Sequence, residues 1–114
     1  MLKIGDKIYF YGNYDLLGEI QTTKITEEIV MTSGEVTKMK NGLVFFVLDG
    51  EAGERKSSED KLNIFRDYGT SIYGVFDKEL TKGDALNGII KTLESRILQT
   101  RDTINKLVQQ FEGL

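Results

Sequence analysis

Apolar positions change period once along this chain. Up to Phe76 they come in short runs, several alternating with polar residues. From Leu86 they fall at 86, 90, 93, 97, 100, 104, 107, 111 and 114, steps of 4-3-4-3-4-3-4-3. That is a heptad repeat, and it predicts one helix with a single apolar seam. Ile90, Ile97, Ile104 and Phe111 take the a positions, and Leu86, Leu93, Thr100, Leu107 and Leu114 take d. β-Branched residues at a with Leu at d favour two parallel strands. The flanks argue otherwise, because parallel pairing brings Arg96 at g towards Arg101 at e. Thr100 weakens the centre, while Ile89 at g and Val108 at e widen the apolar face. A wider face suits a globular core or a bundle of more than two helices. The seam therefore predicts self-association through Leu86, Ile90, Leu93, Ile97, Ile104, Leu107 and Phe111, as a dimer or higher, without fixing the geometry.

Length supports that reading. Thirty helical residues span ~45 Å, and a compact domain of about 80 residues is only ~25 Å across. Thr81, with Asp84 three residues on, predicts the helix start. Gly88 inside the helix costs about 1 kcal/mol relative to Ala and marks either a close approach of another backbone or a weak first turn. Gly113 predicts the stop.

Residues 1–80 read as a small β domain, with 81–114 as the oligomerisation helix. Gly5-Asp6 is a turn that feeds a strand with Ile8 and Phe10 on one face and Lys7, Tyr9 and Tyr11 on the other. Gly12 to Asp15 is loop, and Gly18-Glu19-Ile20 begins a second strand. Gly-Asp-x-Ile, a loop, then Gly-x-Ile resembles the opening of SH3-like small barrels of the Tudor and KOW type, over about the first 25 residues. Glu19 to Met31 is Thr-, Ile- and Val-rich strand, Ser33-Gly34 a turn, and Asn41-Gly42 a type I′ hairpin. Leu43 to Leu48 is apolar on both faces and predicts a central strand, its outer side covered by the long helix or a second subunit. Asp49 to Lys61 reads as charged loop. Leu62, Ile64 and Phe65 return to structure, Tyr68-Gly69 turns the chain, and Ser71 to Phe76 is the last strand, with Gly74 marking a bulge or a close contact. The fold class is α+β: an SH3-like antiparallel barrel or curled sheet of five or six short strands, with an OB-like barrel as the alternative, followed by one long amphipathic helix.

Composition narrows the chemistry. The chain has 15 basic and 18 acidic residues, a formal charge of −3, and no His or Cys. Neither half is a basic arm, so duplex binding by counterion release is disfavoured. Without His or Cys there is no Ser–His or Cys–His dyad, and zinc loses its usual ligands. No run approaches 18 apolar residues and no leader is visible, which gives a cytosolic reading with no membrane partner. Asp49, Glu51, Glu54, Glu59 and Asp60 cluster in sequence but do not follow the spacing of an EF-hand loop. No phosphate-binding motif is present, so no catalytic residue, metal or cofactor is assigned.

Aromatic and basic residues remain as ligand candidates: Tyr9, Tyr11, Tyr14, Arg55, Lys56, Arg66 and Tyr68. Exposed aromatics on a small barrel stack bases or grip a peptide. The competing role for the tyrosines is packing against the helix or another subunit with their hydroxyls at the rim. Two function classes follow. One is a non-enzymatic adaptor or inhibitor that self-associates and holds a protein partner on its β domain. The other is a binder of single-stranded nucleic acid or a nucleotide. A carboxylate-based enzyme is a distant third.

Overall fold

A computed structural model describes residues 2–13, 29–69 and 71–114. Six antiparallel strands precede one helix: β1 Lys7–Gly12, β2 Val30–Lys40, β3 Leu43–Leu48, β4 Arg55–Ser58, β5 Phe65–Asp67, β6 Ile72–Phe76 and α1 Lys82–Glu112. They form one curled half-barrel in the order β4-β3-β2-β1-β6-β5. The first four strands are neighbours in chain order, and β6 returns to the free side of β1. The curled sheet and the helix after it are the α+β arrangement expected, and the β1-to-β4 run is a simple meander.

Local chemistry explains the main turns. Asn41 (φ 53°) and Gly42 (φ 75°) both take the left-handed conformation that a type I′ hairpin requires. Ser33-Gly34, expected as a turn, lies inside β2 instead. A Cβ at Gly34 would overlap the backbone at Val47 and Leu48, so this glycine permits close approach of β3 rather than reversal of the chain. Asp49 to Lys61, expected as loop, contains β4, which pairs Arg55–Ser58 with Leu43–Phe46. Its polar sequence suits an edge strand, which carries no apolar alternation to detect. Gly74 is a close contact, as its glycine suggested: a Cβ there would sit 2.6 Å from the Ile64 carbonyl oxygen. The strand signals at Gly18 to Ile20 and most of Glu19 to Met31 lie outside the described residues.

The core has two parts. Ile8, Phe10, Val36, Val44, Phe46, Leu48 and Val75 fill the concave side of the sheet. Tyr11, Phe76 and Ala85 form a second cluster, joined by Tyr9, Ile29, Phe65 and Leu80, where the start of α1 meets β5 and β6. The outer side of β3 was expected to lie under the helix or a second subunit; α1 is not that cover, since it packs on β5 and β6. Phe45 on β3 is partly covered by Lys38, whose ammonium lies 4.9 Å from the ring centroid.

The helix starts as its sequence implied. The Thr81 hydroxyl accepts the Asp84 N–H at 3.1 Å, and Gly113 caps the other end. Gly88 is a close-approach glycine, but what approaches is a ring rather than a backbone. A Cβ at Gly88 would overlap the Phe65 ring. Around it, Ala85 and Ile89 are buried and Thr92 and Arg96 half-buried, so α1 docks through its first four turns. Ile89 therefore belongs to this docked face and does not widen the seam.

Gly88→Val should displace α1 from Phe65. Overpacking typically costs 1–3 kcal/mol, against a gain of only a few tenths in helix propensity. Urea unfolding should show a loss of ~2 kcal/mol. An unchanged midpoint would mean that the contact does not hold the helix.

Candidate functional site

Two surfaces stand out, a cleft in the β domain and the exposed seam of α1. The cleft opens between β4 and the β5–β6 hairpin. Phe10, Phe46 and Val75 form its floor, with Arg55, Lys56, Lys61, Tyr68 and Tyr73 among the residues around it. Three rings make a ladder along it. Phe10 stacks on Tyr73 at 5.3 Å, and Tyr73 stacks on Tyr68 at 4.3 Å, with interplanar angles of 25° and 15°. Tyr68 is the exposed end of the ladder, at 44%. The Arg55 guanidinium lies 5.7 Å from the Phe10 centroid and is bonded twice to Glu51, at 2.6 and 2.7 Å. Arg55 is therefore held in place and partly neutralised, while Lys56 and Lys61 are exposed cations at the cleft. No carboxylate lines this cleft among the described residues. Its volume of about 240 Å³ is below the ~300 Å³ at which ordinary ligand pockets begin, so it fits one flat group or one inserted side chain.

The structure sorts the sequence candidates. Arg55, Lys56 and Tyr68 share the cleft. Arg66 is exposed on β5, paired with Tyr73 in the strand register, and does not line it. Tyr11 is 2% exposed, and its hydroxyl accepts the Leu80 N–H at 2.7 Å. It also meets Phe76 edge-on, so it anchors the helix approach rather than facing solvent. Tyr9 is half-buried on the same side of the sheet, in a shallow groove with Lys7, Met31 and Glu79. Tyr14 lies outside the described residues. Sequence reading missed Phe10 as a cleft floor, along with Tyr73 and Lys61. Phe10 and Tyr73 lie 63 residues apart in the chain, on β1 and β6, and no local signal joins them. The acidic cluster also separates: Asp49 bonds Ser33, Glu51 bonds Arg55, and Glu54 bonds Thr37.

The seam of α1 is the second surface. At 100° per residue, the docked positions Ala85, Gly88, Ile89, Thr92 and Arg96 centre roughly 85° from the a and d positions. The seam thus runs along the flank of the helix beside the docked face and is open to solvent. Ile90 is 50% exposed, Ile97 56%, Ile104 54%, Leu107 58% and Phe111 75%. Leu86 is 39% exposed, and only Leu93 is partly covered. Every residue from Ile97 onward is exposed, and the molecule extends 59 Å by 31 Å by 27 Å. The helix is amphipathic, and among the described residues no helix is long and apolar enough to cross a membrane.

Arg96 fixes the rotation of the helix about its axis. Its guanidinium donates two hydrogen bonds to the Asp67 carboxylate, both at 2.5 Å, and a third to the Gly69 carbonyl at 3.1 Å. The Arg96 bond holds the Asp67 carboxyl below its ordinary value, aided by the Gly69 N–H, while the same bond raises Arg96.

With this geometry in hand, comparison with protein-family models, curated proteins and solved structures returns no match. The functional reading rests on the molecule itself.

The lowered Asp67 value sets a pH dependence. A carboxyl depressed on folding contributes stability that is complete above its unfolded value, near 3.8, and lost as pH falls through the lower folded value. The pair lies near the surface, so its contribution is ~0.5 kcal/mol. Asp67→Asn should be less stable than the parent by about this amount at pH 7. The difference should close below about pH 3.8. Urea midpoints at pH 7 and in strong acid measure both; an equal difference at both would refute the linkage.

Proposed function

We propose that this is a non-catalytic binding protein that assembles with copies of itself through the α1 seam and holds a partner at the β-domain cleft. One observation carries the reading. A helix already docked through one face presents a second, largely apolar seam, broken only by Thr100, to solvent along most of its length. A soluble monomer rarely leaves so long an apolar stripe open. Two-sided use gives the helix one face for holding the β domain and one for another chain.

The cleft favours a second reading of what is bound. A three-ring ladder ending in an exposed tyrosine, flanked by Lys56 and Lys61, suits stacking of a single base with a phosphate nearby. A protein partner would instead insert one side chain over Tyr68.

Both parts are testable. The parent should run as an oligomer in light scattering on a sizing column, and Ile97→Asp, which places a charge in the buried seam, should run as a monomer. The full chain is needed, because ending it at Leu80 would remove Ala85 from the second core cluster, along with the buried Ile89. An oligomeric Ile97→Asp variant would show that assembly occurs elsewhere.

For the cleft, a fluorescent single-stranded oligonucleotide should bind the parent more weakly as salt rises. Tyr68→Ala should lose roughly tenfold or more in affinity, since base stacking on an aromatic contributes ~1–3 kcal/mol. No binding at low salt would leave the inserted side chain as the occupant.

A further inference from the structure

Self-association through the seam, as proposed above, leaves its geometry open, and the charges beside the seam decide it. In a parallel pair, g of one helix faces e of the other. In an antiparallel pair, e faces e and g faces g, with a residues level with d residues. The g side of α1 is already occupied within the chain. Ile89 is buried against the β domain, and Arg96 is held on Asp67. Choice between arrangements therefore falls to the e side, which carries Glu94 and Arg101. Both are exposed, and neither forms an ion pair within the chain among the described residues.

A parallel pair places Glu94 against the buried Ile89 and Arg101 against Arg96, which is already engaged. Both e charges are left without a partner. An antiparallel pair aligned with Ile97 against Thr100 of the second copy puts Glu94 within two residues, ~3 Å along the axis, of the copy's Arg101. The two-fold symmetry makes this attraction twice. The same alignment levels Leu86 with Phe111, Ile90 with Leu107 and Leu93 with Ile104, all inside Lys82–Glu112. Sliding by one heptad in either direction sets Arg101 against Arg101 or Glu94 against Glu94. Like charges thus oppose both neighbouring alignments. Thr100 does not obstruct the central layer, because its hydroxyl already donates to the Arg96 carbonyl at 2.8 Å. Its burial strands no unmet donor.

We propose that two copies of this chain associate as an antiparallel pair of α1 helices, with Ile97 against Thr100 and Glu94 paired with Arg101 across the interface. The β domains then stand at opposite ends of the shared helices.

Charge reversal and a distance test this together. In the antiparallel pair, Arg101→Glu faces Glu94, and dissociation should become roughly tenfold easier. Glu94→Arg should weaken assembly similarly, and mixing the two variants should restore it, because each reversed charge then meets its complement. A parallel pair would respond oppositely to Arg101→Glu, by tightening or not changing. Since the chain has no cysteine, Glu112→Cys takes a single spin label. Two labels should lie ~40 Å apart in the antiparallel pair, and ~10–15 Å apart in a parallel one. A short distance, or failure of the mixture to recover, overturns the alignment while leaving self-association intact. A parent that is monomeric in light scattering overturns both.

Discussion

The structure depends on the contact between a residue without a side chain and a ring. Gly88 lets the Phe65 ring lie directly on the backbone of α1. That contact, with Ala85 and Ile89 beside it, decides which way the helix is rolled. Roll matters more than position here. A helix with two apolar stripes can bury either, and the one it buries within the chain sets the one it offers outside. The bidentate Arg96–Asp67 pair two turns further on holds the same roll by a different force. Short-range packing and a directional ion pair thus agree, which is how a long helix is kept from swivelling about a single contact.

The β domain is arranged to receive that helix and to remain open opposite it. Tyr11 closes the helix side by accepting the Leu80 N–H and packing on Phe76. On the other side, the half-barrel leaves β4 apart from the β5–β6 hairpin, and the Phe10–Tyr73–Tyr68 ladder fills the gap only in part. Aromatic rings in this setting keep a cleft from collapsing, because their stacking geometry holds them upright against the floor. The cleft is therefore a product of incomplete closure of the sheet.

Sequence carried the periodic features well. The heptad, the Thr81 cap, the Asn41-Gly42 turn and the apolar run at β3 all depend on neighbours within a few residues. The errors share one cause, which is that they depend on distant neighbours. Ile89 and Val108 look alike as apolar flanks of the seam, yet only Ile89 is buried, because only it lies level with β5 and β6. Ser33-Gly34 has the composition of a turn, but its glycine answers to the backbone of β3 across the sheet. β4 is Arg-Lys-Ser-Ser, and nothing in those four residues announces a strand until β3 is beside them. Likewise, Arg55, Lys56 and Tyr68 were identifiable by type, whereas Phe10 and Tyr73 join them only through strand order.

The distal half of α1 connects these observations to function. From Ile97 to Glu112 the helix makes no contact with the β domain that buries any residue. A helix of that length standing alone is marginal in water, since nucleation is costly and propagation gains little per residue. Its first four turns supply the nucleus, because they are fixed by Phe65 and Asp67. Propagation beyond them is limited by the open apolar positions, and burial of Ile97, Ile104, Leu107 and Phe111 would stabilise it far more than propensity does. Docking of the proximal half and any burial of the distal half would therefore be coupled through one continuous hydrogen-bonded rod. The β domain sets the roll of that rod, the roll leaves the seam open on its flank, and covering the seam would in turn steady the end that the β domain cannot reach.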